Sequence, residues 1–204
     1  MGLLTSSISI TRYKVNGELQ TPIKESIYNG LRKNLIQDID KQPIDRVIGW
    51  TSFESPYIPD FQEESLFFGS HIIFSLRIDK KTLPTKLIKK FVAIETAKLL
   101  KQSGREFLST NEKKTIKDEV IDRLNQGIPA TPNIYDVIWN YEEKTLWFLS
   151  NLKAANEELE TLFLKSFDLT ILRLFPYTGA YFMKTLSDSE KDLLTNVAST
   201  QFSE

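Results

Sequence analysis

The stretch "LPTKLIKKFVAIETAKLLKQSGREFLSTNEKKTIKDEVIDRL", residues 83–124, decides the fold because it predicts two consecutive amphipathic helices. Leu83-Pro84 begins the first helix, since proline fits the first helical turn. Gly104 ends this helix after residue 102, as glycine often does just past a helix. Apolar residues recur in it at helical spacing. We expect its buried side to contain Leu87, Phe91, Val92, Ile94, Leu99 and Leu100.

The second helix of the pair has its own start signal. Ser109 and Glu112 have the spacing of a capping box, in which each side chain bonds the backbone N–H of the other residue. The predicted helix covers residues 110–126, and Gly127 is expected to follow it as the glycine just past the helix. Its apolar stripe consists of Ile116, Val120 and Leu124.

Strand-forming segments lie on both sides of the helical pair. Before it, the sequence predicts a strand at 7–15, a strand at 47–50, a loop at 55–65, and a strand pair or one bent strand at 66–78. A helix is also predicted there from Pro22 onward, because apolar residues recur every four positions at Ile23, Ile27, Leu31, Leu35 and Ile39. After the pair, it predicts a hairpin at 134–141 and 145–150, a helix at 154–167, a strand at 169–175 and a short helix capped by Ser187.

This order predicts an α+β fold in which two mainly antiparallel sheet-forming halves flank a basic helical pair. Along the chain we divide it into three segments. Residues 1–78 form an N-terminal sheet-helix half, residues 79–130 the basic helical pair, and residues 131–204 a C-terminal hairpin-helix-strand half with a tail helix.

Composition excludes several kinds of chemistry. The 204 residues include no cysteine, which rules out disulfides and thiolate sites, and His71 is the single histidine. The sequence has no G-x-S-x-G, G-x-x-x-x-G-K-[ST] or G-x-G-x-x-G motif. No apolar run has the length of a membrane span. We therefore predict a cytoplasmic protein that is not an enzyme, has no cofactor or metal and does not engage a membrane.

Charge is distributed unevenly along the chain. Residues 77–123 carry thirteen basic and seven acidic side chains, a net +6, whereas the remainder carries −7. Such asymmetry indicates a polyanionic partner for the basic segment. The alternative is an ordinary solvated helix face, because clustered lysines cost a helix only a few tenths of a kcal/mol per like-charged pair. The predicted phosphate contacts are Lys80, Lys81, Lys86, Lys89, Lys90, Arg105, Lys113, Lys114 and Lys117.

Several short motifs follow one another in a fixed order along the chain: a Gly-Trp at 49–50, Leu83-Pro84, Gly104-Arg105, Ser109, Glu112-Lys113, and Lys-Asp-Glu-Val at 117–120. In this ordered series the sequence resembles the RdgC family of bacterial recombination-associated proteins. The segment "IYDVIWNYEEKTLWFLSNLKAANEELETLF", residues 134–163, resembles the family's hairpin followed by a helix.

The resemblance implies duplex DNA binding without sequence preference, ring-shaped dimers with a basic hole, restraint of the strand-exchange recombinase, and association with the nucleoid. The duplex DNA backbone, a second copy of the chain and a recombinase are thus the partners it implies. Family members are typically longer than this sequence, so by comparison with them we expect it to be shortened at the C-terminus. The resemblance thus predicts that the family's ring-closing segments are either absent here or replaced by residues 177–204, and it leaves open whether a closed ring forms.

Three functions remain open from the sequence. The favoured one is non-sequence-specific duplex DNA binding that modulates recombination or replication. The second is a protein–protein adaptor that uses the basic helical pair. The third is a metal-dependent nuclease, a name also applied to the family, for which Asp60 and the Glu-Glu-Lys at 142–144 are the only carboxylate candidates.

Overall fold

The computed structural model describes residues 2–61, 66–182 and 186–196. The end of the predicted 55–65 loop and parts of the predicted tail lie outside these residues. The described elements, in chain order, are β1 (Thr11–Asn16), α1 (Ile23–Lys33), β2 (Arg46–Thr51), β3 (Phe67–Phe68), β4 (His71–Lys80), α2 (Thr85–Ser103), α3 (Thr110–Gly127), β5 (Thr131–Asn140), β6 (Thr145–Phe148), α4 (Lys153–Phe167), β7 (Thr170–Arg173), α5 (Pro176–Tyr181) and α6 (Asp188–Thr195).

The predicted α+β class is confirmed, and the two strand-forming halves join in one antiparallel sheet. The strand order is β2-β4-β5-β6-β1-β7, and β3 pairs with β4 as well. The halves meet along β4 and β5, whose ten-residue register runs from His71 opposite Asn140 to Lys80 opposite Thr131. The helical pair is therefore an insertion between two strands that are neighbours in the sheet.

Successive side chains of each strand point to opposite faces of the sheet, and the fully buried apolar ones lie on the face that packs against α1 and α4. In β4, Ile72, Phe74 and Leu76 are fully buried on this face. The centre of the core is aromatic: Trp50 meets Phe74 edge-on at 5.1 Å between ring centroids, and Trp139 lies in the same cluster. Burial of such large side chains supplies most of the stabilisation of a domain of this size.

The predicted length of α1 is wrong. The helix ends at Lys33, and Leu35 pairs with Trp50 in a parallel bridge instead of continuing the apolar stripe. The Ile36 N–H donates to the Trp50 carbonyl at 3.0 Å. Ile36 and Ile39 are buried in this extended segment, so the four-residue repeat that suggested helix reflects burial after the helix.

Most other predicted elements are confirmed within a few residues, with three corrections. The first strand begins at Thr11 and not at residue 7, and Gly127 is the last residue of α3, with Ile128 as its C-cap in extended conformation. Ile94, predicted on the buried side of α2, is 39% exposed. Gly104 does end α2, with a left-handed φ of 64°.

Candidate nucleic-acid interface

The helices α2 and α3 form a hairpin that packs on itself. A small second core of Leu108, Ile116 and Val120 joins them, and Phe91, Val92, Leu99, Leu100 and Leu124 pack against it. No residue of α2 is fully buried. We call α2, α3 and the loop between them the helical arm, and the rest of the described chain the body.

The turn that leads into α3 has a clear local cause. At the start of α3, the Ser109 hydroxyl accepts from the Glu112 N–H at 3.2 Å, and the Glu112 carboxylate accepts from the Ser109 N–H at 2.8 Å, so the predicted capping box is confirmed. Arg105 donates to the same carboxylate at 2.8 Å. The backbone and hydroxyl of Ser109, followed by Arg105, lower the pKa of Glu112 from 4.5 to about 2.

The positive charge of the arm is concentrated on α2. This helix carries five lysines and one glutamate, a net +4, whereas α3 carries four basic and four acidic side chains. Lys86, Lys90 and Lys101 are separated by 4 and 11 residues, so they project from one side of the helix. Lys89 lies beside them, and all four side chains are exposed. We call these four residues the lysine face.

The positive charges of the lysine face are not paired with described carboxylates. None of its four ammonium groups forms an ion pair with a carboxylate in the described parts of the chain, and Lys90 makes only a cation–π contact with Phe91, 5.7 Å from the ring centroid. Unpaired lysines are point charges that suit a phosphate backbone, because they need no fixed hydrogen-bonding geometry.

The opposite side of α2 lines a groove shared with α3. Its volume is about 470 Å³, its floor is apolar at Leu99, Ile116 and Val120, and acidic residues lie on its rim. Glu95 pairs there with Lys98 and, across the groove, with Arg123. Hydrogen bonds from Lys98 and then Arg123 lower the pKa of Glu95, so this carboxylate stays charged. None of the predicted phosphate contacts lines this groove.

The structure separates the nine predicted phosphate contacts into five groups, of which buried Lys81 is the last. Lys86, Lys89 and Lys90 share the lysine face, and Lys80 is exposed at the end of β4. Lys113, Lys114 and Lys117 are exposed on α3, where acidic residues balance their charge. Arg105 is held by Glu112.

Lys81 requires a correction, because its side chain is 4% exposed and its ammonium bonds backbone carbonyls inside the protein. It cannot reach an external phosphate in this fold. Lys101 is not among the predicted contacts, although its spacing from Lys90 places it on the lysine face.

The other residues considered for catalysis or metal binding are His71 and the carboxylates. In the described ranges 2–61, 66–182 and 186–196, no group of three or more His, Asp or Glu residues is arranged to hold a metal ion. His71 is the first residue of β4, and its Nε2 lies 3.4 Å from the Asn140 amide nitrogen. None of the described helices combines the length and apolar character needed to cross a bilayer.

Comparison with protein families identifies the lineage of this fold. The model of the family described as "Putative exonuclease, RdgC" matches residues 9–179, which is well over half of the chain. The chain belongs to the RdgC family. The match includes the whole helical arm and every strand of the sheet. RdgC membership supports a recombination-related role. No curated protein matches the sequence.

Proposed function

We propose that this RdgC-family protein binds duplex DNA without sequence preference and so modulates recombination or replication. The observation that carries the proposal is the lysine face: Lys86, Lys89, Lys90 and Lys101 are exposed on one side of α2 and unpaired with any described carboxylate. A row of mobile point charges on a helix suits the evenly spaced phosphates of a duplex.

Backbone contact accounts for the lack of sequence preference. Reading bases requires side chains with directional donors and acceptors placed in a groove of the DNA. The lysine face offers ammonium groups separated by the small side chains of Ala93 and Ala97, which favours phosphate contact over base recognition. Lys80 at the base of the arm and the three lysines of α3 are further exposed cations that can contact the phosphates of a bound duplex beyond the lysine face.

The test is fluorescence anisotropy with two labelled duplexes of unrelated sequence. Both should bind with equal affinity at 50 mM salt. For ~4–6 neutralised phosphates, affinity should fall by roughly 10²- to 10³-fold between 50 and 200 mM salt. Unequal affinities would contradict backbone recognition, and an absence of binding at 50 mM salt would contradict the proposal as a whole.

A protein–protein adaptor is the second candidate, favoured by the apolar floor of the groove between α2 and α3. Phe107 at the tip of the arm is also 81% exposed, and large exposed aromatic side chains are common at protein interfaces. An adaptor would ignore duplex DNA at 50 mM salt, so the same titration separates it from the first proposal.

The nuclease hypothesis calls for a separate assay. Duplex and single-stranded DNA, each incubated with the protein and Mg²⁺ and then examined on a denaturing gel, would be shortened by a nuclease and unchanged by a DNA-binding protein. Association with the nucleoid, formation of a homodimer and contact with a recombinase stay predictions from the family resemblance.

A further inference from the structure

A buried lysine sits where the helical arm leaves the body. Lys81 directly follows β4 and precedes α2, and its ammonium group is enclosed by four backbone carbonyl oxygens from two separate parts of the chain. The Nζ donates to the oxygens of Ile39 at 2.5 Å, Asp40 at 3.0 Å, Gln42 at 2.8 Å and Asn125 at 2.6 Å.

Hydrogen bonds alone satisfy this cation. No described carboxylate forms an ion pair with Lys81, although a buried charge is normally paired with an opposite one. An ammonium group has three N–H donors, and four converging acceptors leave none of them without a partner. Since an unsatisfied ammonium would be expelled from such a place, the carbonyl cluster and the cation depend on each other.

Through these four carbonyls, Lys81 is bonded both to one loop of the body and to the end of α3. Ile39, Asp40 and Gln42 belong to the segment between α1 and β2, whereas Asn125 lies in the last turn of α3. The carbonyl of Asn125 adds the negative end of the α3 dipole to the cluster. Lys81 itself lies just before the arm begins, so one ammonium group links the entry to α2 and the last turn of α3 to the body.

Three further hydrogen bonds converge on the same loop, residues 39–45. The Lys81 N–H donates to the Asp45 carbonyl at 2.8 Å, and the Ala130 N–H donates to the Asp40 carboxylate at 2.7 Å. The Asn125 amide donates to the Pro43 carbonyl at 3.2 Å. Elsewhere α2 and α3 pack mainly on each other, so this base is where their direction is set.

We propose that Lys81 is a positioning residue that fixes the orientation of the helical arm, and with it the lysine face, relative to the body. Its consequence for DNA rests on the proposed function, whereas the orientation of the arm can be measured without DNA. Lys81 thus supports DNA binding from inside the protein, and its neighbour Lys80 carries the same charge on the surface.

The absence of cysteine from the sequence allows the orientation to be measured directly. Spin labels at Ser103→Cys in the arm and Asn151→Cys in the body, both exposed positions, report one distance by double electron–electron resonance. The wild-type pair should give a single narrow distribution. Lys81→Met should broaden it at least twofold, whereas the control Lys80→Met should leave it unchanged. An unbroadened Lys81→Met distribution overturns the proposal.

DNA binding provides a second readout that a direct phosphate contact could not imitate. If Lys81→Met leaves the arm correctly oriented for only ~10–30% of the time, the apparent Kd for a duplex rises roughly 3- to 10-fold. The slope of log K against log salt should stay that of the wild type, because no phosphate contact is lost. A slope reduced by about 0.9 would mean that Lys81 contacts a phosphate, which overturns the proposal.

Failure of the proposed function can be told apart from failure of the role of Lys81. If the wild-type protein binds no duplex but the spin-label distance distribution broadens in Lys81→Met, the proposed function is contradicted and the positioning role of Lys81 is supported. If Lys81→Met does not fold, acetylation of the native wild-type protein decides: Lys81 should stay unmodified while Lys80 reacts, as mass spectrometry of peptides would show. Equal reaction of both lysines overturns the enclosed ammonium group.

Discussion

Glu95 on α2 and Arg123 on α3 face each other across the helical arm, with 3.1 Å between the carboxylate Oε1 and the guanidinium Nη2. The same carboxylate also bonds Lys98 at 3.3 Å. These contacts pair two cations on the groove side of the arm with a carboxylate, whereas the lysine face on the opposite side of α2 has no such partner among the described residues. The arm therefore has one compensated side and one uncompensated side.

This asymmetry predicts different effects on duplex affinity for two substitutions that each remove one positive charge. Lys90→Gln should weaken duplex binding by about 1.5- to 5-fold, the range of a single exposed ion pair. Arg123→Gln should leave the affinity unchanged, because its charge is already compensated by Glu95. Anisotropy titrations at one salt concentration compare them, and equal losses for both variants would contradict the assignment of the lysine face.

Among the glycines of the body, Gly49 is the one at which we expect an added methyl group to cost the most stability. A Cβ at this position would lie 2.4 Å from the Ile36 backbone nitrogen and 2.5 Å from its Cα, so the segment after α1 could no longer pair with β2. Gly49→Ala should lower the free energy of unfolding by about 2–4 kcal/mol through overpacking against backbone. Urea denaturation followed by tryptophan fluorescence measures it.

Gly127 provides the matched control for that substitution. It is the last residue of α3, has no positive φ, and a Cβ there would meet nothing within 4 Å. Alanine has the higher helix propensity, so Gly127→Ala should raise the stability of α3 by up to about 1 kcal/mol. Similar destabilisation by both alanines would show that the close approach at Gly49 does not set the cost.

The capping box predicts a pH dependence of the arm. Because the folded-state pKa of Glu112 is lowered to about 2 from 4.5, its stabilising contribution is complete above pH 4.5 and is lost as the pH falls toward 2. Helical circular dichroism of the wild type should therefore weaken in this window. Glu112→Gln should already be less helical at pH 7 and should lose less on acidification; an identical pH profile would contradict the role of this carboxylate.

Tyr13 predicts a loss of stability at high pH. Its hydroxyl donates to Asn156 at 2.5 Å inside the core, and burial raises its pKa above the ordinary 10.0. The fold therefore favours the neutral phenol, whose contribution is complete below pH 10 and is lost above it as the unfolded phenol ionises. Tyr13→Phe should lower the free energy of unfolding by about 1–3 kcal/mol at pH 7, because Asn156 loses a buried partner.

The measurement for Tyr13 is urea denaturation at pH 7 and at pH 10.5. The wild type should lose more stability between these pH values than Tyr13→Phe does. Tyr57→Phe, at a site that is 68% exposed, serves as the control and should behave as the wild type at both. A Tyr13→Phe variant as stable as the wild type at pH 7 would contradict the structural role of this hydroxyl.

The sequence predicted elements whose signals are local. Proline at the start of α2, the left-handed Gly104 at its end and the capping box at Ser109 each act within a few residues, and all three are confirmed. It misjudged the end of α1, because Leu35 and Ile36 pair with Trp50 of β2, a contact formed over more than ten residues of chain, and Ile39 is buried further along the same segment. Periodicity records burial and not the backbone conformation that produces it.

The same limit applies to the candidate site. Lys80 and Lys81 are adjacent lysines at the same boundary, and the sequence contains no local signal that separates them. The structure places one on the surface and encloses the other with carbonyls from loop 39–42 and α3. By contrast, the concentration of charge on one side of α2 follows from helical spacing alone, so Lys86, Lys89 and Lys90 could be grouped in advance.

Charge reversal on the lysine face tests the central claim most directly. Lys86→Glu, Lys89→Glu and Lys90→Glu in one variant change the net charge by −6, as do Lys33→Glu, Lys41→Glu and Lys165→Glu at exposed positions of the body. After circular dichroism has shown both to be folded, duplex affinity is measured at 100 mM salt. The first variant should lose at least 100-fold and the second less than 10-fold; equal losses would contradict DNA binding through α2.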